Sequence, residues 1–209
     1  TPSEDNMLAV TNDGRKAALD MRLVDPLGCD YEGSKVNLCA HKVHGVWQQS
    51  AGYKGTQIVF CDLSTPQSDG RFSVYQDLRH KLVEMGVLGT EIAFIHDYES
   101  DSAKEELFKA VRDGRIRVLL GSTGKMGVGT NVQTRLVALH HLDAPWRPAD
   151  VEQREGRIVR QGNLNEQVWI YRYVTEGSFD AYIWQTLETK ARFIAQVMQG
   201  DTGMRSAED

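Results

Sequence analysis

Cysteine is scarce in this 209-residue chain. Cys29, Cys39 and Cys61 form an odd set without the close spacing of a zinc site, so reduced, mostly structural thiols and no metal are expected. There are only five prolines, too few for a proline-rich linker, and no repeat or low-complexity tract. No apolar run approaches the roughly 18 residues of a membrane span. The opening Thr1-Pro2-Ser3-Glu4-Asp5 also lacks the basic-then-apolar order of a secretory signal. A cytoplasmic protein with no membrane partner is the expectation. Positive charge is not in excess either: the formal net charge is -5, which excludes a chain-wide nucleic-acid footprint. Arg112, Arg115 and Arg117, then Arg147, Arg154, Arg157 and Arg160, concentrate cations in two short regions, so any such contact must be local. What is present, 41% hydrophobic and 25% charged residues, suits an ordinary globular chain with length for a full core.

Helical and strand patterns alternate as in an α/β domain with a mainly parallel sheet flanked by helices. Ser34 is placed to cap a helix over residues 35–49, where Val36, Cys39, Val43, Val46 and Trp47 share one stripe. Strands are expected at 56–62, 91–96, 116–120, 135–142 and 167–174, from their β-branched and apolar runs. Helices are expected at 72–85, from a Ser102/Glu105 capping box to near Gly114, from Pro148 through the arginines, and at 178–199. This divides the chain into a lead-in extension (1–53), a compact core (54–175), and a brace helix with a tail (176–209). Residues 1–6 and 200–209 read as loose ends.

Gly121, Gly124, Gly127 and Gly129 follow the third expected strand, where a backbone free of Cβ atoms can approach a phosphate or sugar. A Walker A reading of Gly124-Lys125 fails, because Met126 stands where Ser or Thr is needed. Farther on, Gln153, Arg154, Gly156, Arg157 and Arg160 run as Gln-Arg-x-Gly-Arg-x-x-Arg. On a helix Arg157 and Arg160 share a face, and two guanidiniums aimed together suit a phosphoryl group gaining charge during transfer. Spacing alone equally allows solvated arginines, or partners for Glu152 and Glu155. His140 and His141, adjacent on a strand, should face opposite ways, one buried and one partly exposed, with no metal. Trp146 is expected to pack a loop against the core. The stripe Phe179, Ile183, Leu187, Ile194 and Met198 is expected to brace a neighbouring lobe, or a second copy if none is there.

A resemblance covers most of the chain. Ser122-Thr123, Gly127, Gly129, Asn131, Asp143, Trp146, Pro148, Gln153, Arg157, Arg160 and Gly162 resemble motifs V and VI of superfamily 2 helicases, in particular the second RecA-like lobe of Swi/Snf-type DNA translocases. Gln57 to Asp62 resembles motif IV. QIVFCDLSTP, LLGSTGKMGVGTNVQ and LHHLDAPWRPADVEQREGRIVRQGN further resemble phage and conjugative-element fusions of a helicase with an adenine methyltransferase, the DarB-like antirestriction proteins among them.

The resemblance implies a three-layer RecA-like lobe with helical additions at both ends. Arg157 and Arg160 would reach the γ-phosphate of ATP, with Gln153 positioning them or touching the nucleotide. Gly127, Gly129 and Asn131 would lie at the ribose side. Arg154 would lie on the nucleotide side or form a salt bridge. Ser122 and Thr123, with Ser64 and Thr65, would hold a DNA phosphate. Asn163 and Gly156 depart from the Swi/Snf pattern, which usually has Gln and an acidic residue there. The sequence contains no Walker A lysine with its hydroxyl residue and no Asp-Glu motif for magnesium; in this family those groups sit on a first lobe. The expectation is half an active site: the second ATPase lobe of a double-stranded DNA translocase, inactive alone. A strand-separating RNA or DNA helicase lobe and a degenerate interaction scaffold are the alternatives.

Overall fold

In the computed structural model, which describes residues 7–66, 70–126 and 130–200, the β-branched run Thr56–Phe60 forms β1 with every residue buried. Burial on both faces is the mark of a strand inside a parallel sheet covered by helices. Ile92–Phe94 (β2), Val118–Gly121 (β3) and Leu136–His141 (β4) are buried throughout, whereas Trp169–Arg172 (β5) is a partly exposed edge. The sheet order is β2-β3-β1-β4-β5 and every pairing is parallel. β1 therefore lies at the centre, and its register sets Phe60 beside both Gly121 and His141. The carboxyl ends of β1, β3 and β4 thus finish side by side, the place where open α/β sheets bind ligands.

Two helices, Lys35–Gln49 (α2) and Val74–Glu84 (α3), cover one face. Val36, Cys39 and Val43 of α2, and Tyr75, Leu78 and Leu82 of α3, pack on Val59, Val118 and Leu120. Asp101–Arg112 (α4) covers the other, with Leu107, Phe108 and Val111 on Ile58, Leu119 and Leu139. Leu78 is fully buried, so Leu78→Ala should cost about 2–5 kcal/mol in lost transfer energy and cavity. α2 begins where expected, with Ser34 Oγ accepting from Asn37 N–H at 3.2 Å. α4 does not. Its cap is Ser100, which accepts from Ala103 N–H at 3.1 Å, while Ser102 lies inside the first turn. Gly114 closes α4 at φ +72°, a conformation that favours glycine. All three cysteines are free, and burial pushes the Cys39 thiol up to about 12.

The ends of the chain meet. Met7–Leu19 (α1) forms a helix that apolar periodicity did not announce, and it lies against Phe179–Gly200 (α6). Gly14 allows the approach, since a Cβ there would come within 3.3 Å of the Phe179 ring. Thr175 Oγ1 donates to the Ala18 carbonyl at 2.9 Å, and Lys35 of α2 forms a buried ion pair with Asp180 of α6. The α6 stripe divides in two. Ile183, Trp184 and Leu187 are buried against Ala144 and the helix Pro148–Glu155 (α5), so this half braces its own domain rather than a neighbour. Phe193, Ile194, Val197 and Met198 are exposed. Residues 1–6 and 201–209 lie outside the described residues, and Gly200 is the last residue of α6.

Candidate nucleotide and nucleic-acid site

At the carboxyl edge of the sheet, three strand ends are tied by one guanidinium. Arg154, on α5, is 1% exposed. Its Nη2 donates to Asp62 Oδ2 at 2.7 Å and Asp143 Oδ1 at 3.2 Å, its Nη1 to the Asp143 carbonyl at 2.9 Å, and its Nε to Thr123 Oγ1 at 2.8 Å. Asp62 follows β1, Thr123 follows β3 and Asp143 follows β4. Thr123 returns two bonds to Asp62, from its N–H at 2.6 Å and its hydroxyl at 2.8 Å. Asp143 Oδ2 accepts the N–H groups of Asp62 and Leu63 at 2.6 and 2.8 Å. Desolvation works to lower the Arg154 pKa, but Asp143 and Asp62 hold it above its ordinary value. Burial pushes Asp143 upward, opposed by Arg154 and the two amides. Such a charge cluster survives burial only because its donors and acceptors are matched. Arg154 therefore makes the salt bridges that were one of its two expected roles.

The neighbouring histidines complete the support, and both are fully buried, not one. β4 is covered on its two faces, so opposite orientations do not bring exposure. His141 accepts from Arg154 Nη1 at Nδ1 (3.3 Å) and donates from Nε2 to Glu155 Oε1 (3.2 Å). Glu155 also takes Arg172 Nη2 at 2.8 Å, and these bonds hold its carboxyl down at about 2. His140 sits between the Tyr173 hydroxyl at 2.9 Å and Gln57 Oε1 at 3.0 Å; burial, with the His141 and Lys42 charges, drops its pKa to about 3. Trp146 is half-exposed, with the Arg15 guanidinium 4.2 Å from its ring centroid while Arg15 donates to the Ala144 carbonyl at 2.6 Å.

The helix expected to carry Arg157 and Arg160 ends at Glu155, so the two do not share a helical face. Glu155, clamped by His141 and Arg172, fixes the last turn, and Gly156 follows as the cap. The chain then turns through residues 156–162 to Gly162 at φ +88°. Ile158 plugs the turn into the core; Asn163 Nδ2 pins it to the Leu136 and Ile158 carbonyls at 2.8 and 3.2 Å. Arg157 is 8% exposed and reaches the Thr130 carbonyl at 3.4 Å, whereas Arg160 is exposed. Burial lowers the Arg157 pKa, and the nearby Arg160 charge lowers it further. Two like charges held close in a turn repel, and an anion between them would relieve that repulsion.

Gln153 is half-buried on α5. Asn131 is exposed, with its carbonyl taken by Arg112 at 2.7 Å. Gly127 and Gly129 lie outside the described residues. Ser64 accepts from Val74 N–H at 3.0 Å, at the start of α3, and with Thr65 lines a cleft of about 580 Å³ bordered by Lys16, Arg22 and Phe72. Ser122 lies across from His96, 3.3 Å from its Nε2. The structure thus gathers Thr123 with Arg154, and Arg157 with Thr130, but gives Ser64 a capping role. Reading by motif placed Asp62 at the end of motif IV and offered Glu155 as an arginine partner, but gave Asp62, His96 and Glu155 no role in the site. A strand ending in an acidic residue was the available signal for Asp62.

Comparison with known proteins accords with this geometry. Residues 42–162 match the model of the helicase conserved C-terminal domain. The Defense against restriction protein B of Escherichia phage P1 is 34% identical over 97 residues, 46% of this chain but 4% of that protein. The C-terminal part of the Fun30 ATPase domain superposes with a TM-score of 0.55 at 17% identity, covering 77% of this chain and 47% of that one. Dbp5 of S. cerevisiae, bound to RNA and ADP BeF3, gives 0.54 at 20% identity, covering 77% and 37%. The chain spans less than half the length of each of these relatives. With the motif strand ends, the parallel sheet and a family match over more than half its residues, the chain belongs to the helicase conserved C-terminal domain family.

Proposed function

We propose that this chain is the second RecA-like lobe of an ATP-dependent double-stranded DNA translocase of Swi/Snf type. The reading rests most on Arg157, held by a pinned turn at the carboxyl edge of the sheet, against Thr130 and beside Arg160. From there the two guanidiniums meet the γ-phosphate of ATP bound by a first lobe, which supplies the Walker lysine and holds magnesium. Gln153 steadies the turn, and Gly127, Gly129 and Asn131 face the ribose. Ser122, with Ser64 and Thr65, holds the DNA backbone, where hydroxyl contacts position without reading sequence, while the Thr123 hydroxyl is already given to Asp62. Arg154 serves as the scaffold behind them. The resemblance to phage P1 protein B supports a parent from a phage or mobile element; a cytoplasmic location and a fused adenine methyltransferase belong to the same reading.

The test is made in a two-lobed protein. Arg157→Ala should retain ATP binding while DNA-stimulated hydrolysis falls on the order of a thousandfold, because a finger acts on transition-state charge. Unchanged turnover would remove Arg157 from the site. Stimulation by RNA and not by duplex DNA would favour an RNA helicase lobe, the partner in the Dbp5 structure. The isolated chain should show no ATP turnover.

A further inference from the structure

His96 stands where the chain leaves β2, and its ring reaches the end of β3, with Nε2 3.3 Å from Ser122 Oγ. Nδ1 is buried and has no hydrogen-bond partner among the described residues, its ring lying edge-on to Tyr75 at 5.4 Å. The two neutral tautomers differ in what they bury. If Nδ1 carried the proton, a buried N–H would be orphaned; if Nε2 carries it, only a lone pair is left over. Orphaned N–H donors are the rarer and costlier case. Burial, and after it the charge of Lys125, lowers the His96 pKa, which keeps the ring in one of these neutral forms.

With the proton on Nε2, His96 donates to Ser122 Oγ. The same oxygen accepts the Lys125 N–H at 3.4 Å. A hydroxyl oxygen has two lone pairs and one proton, so two incoming donors leave Ser122 able only to donate. No acceptor for that proton is found among the described residues, and the Lys125 side of the loop is exposed. We propose that His96 is a positioning residue: by donating from Nε2 to Ser122, it turns the Ser122 hydroxyl proton outward to a phosphate oxygen of nucleic acid. This rests on the reading of Ser122 as a backbone contact, and adds the residue that sets its polarity.

Two measurements on the chain test it. Long-range proton–nitrogen correlation at neutral pH, assigned by loss of the signal in His96→Ala, should find the Nε2–H form. The Nδ1–H form would overturn the inference outright. Anisotropy titration with a short fluorescent DNA duplex should show Ser122→Ala and His96→Ala each weakening binding by about threefold to tenfold, as expected for one lost hydrogen bond. The double variant should bind no worse than either, and His96→Gln, whose amide can donate, should restore most of the affinity. If Ser122→Ala binds normally, the backbone-contact reading itself fails. If Ser122→Ala weakens binding while His96→Ala does not, the positioning role alone fails.

Discussion

Arg154 and Arg157 are three residues apart and lie in opposite surroundings. Arg154 is enclosed by two carboxylates, a carbonyl, a hydroxyl and a histidine. Arg157 reaches the Thr130 carbonyl at 3.4 Å, and the nearby Arg160 charge lowers its pKa after burial has done so. A buried guanidinium between two carboxylates contributes architecture; under the proposed function, the one beside a like charge serves an anion from outside. The motif run left Arg154 open between the nucleotide side and a salt bridge, and the structure gives it the salt bridges.

If that division is right, substitutions should separate stability from activity. Arg154→Ala strands Asp143 in the interior and should cost about 3–5 kcal/mol, read as a fall in the urea midpoint at unchanged slope; a loss below about 1 kcal/mol would erase the contrast. Lys35→Met strands Asp180 in the same manner, and a similar but smaller destabilisation is expected because one ion pair is lost rather than a cluster. Acid should act next. His140 is neutral in the fold down to about 3, against an ordinary value of 6.5. Below 6.5 the unfolded chain takes up a proton that the fold refuses, so its contribution to stability is complete above 6.5 and declines by about 1.4 kcal/mol per pH unit toward 3. Glu155, held at about 2 against 4.5, steepens the loss below 4.5. Urea unfolding as a function of pH reads both, and a flat profile between about pH 8 and 5 would contradict the His140 assignment. The smallest effect belongs to Arg160→Ala, exposed and expected to shift stability by no more than about 0.5 kcal/mol. A large loss there would make the outer turn a structural device too.

Much of the fold was legible because local and global signals agreed. The Ser34 cap and the Val36–Cys39–Val43 stripe specify α2, and the β-branched run at β1 reads as a buried central strand. Where they disagreed, the sequence misled. Asn12, Asp13 and Gly14 are poor helix residues, yet α1 forms because Gly14 admits the Phe179 ring. The arginine helix looked continuous through Arg160, since nothing local reveals that Glu155 is gripped by His141 and Arg172 from the sheet. Ser100 outcompeted Ser102 as a cap by geometry that composition does not carry. At the site, residue types were readable but directions were not: Arg154 turns inward because two acidic strand ends, distant in sequence, await it.

The cluster joining Asp62, Thr123, Asp143 and Arg154 also has a mechanical meaning. Asp62 stands two residues before Ser64, Thr123 lies in the loop after β3, and Arg154 is three residues ahead of Arg157. A pull on either loop reaches the turn through short ionic bonds and not through compliant chain. The sheet edge therefore offers a short bonded route between the two loops and the turn, where the chain itself would take the long way round.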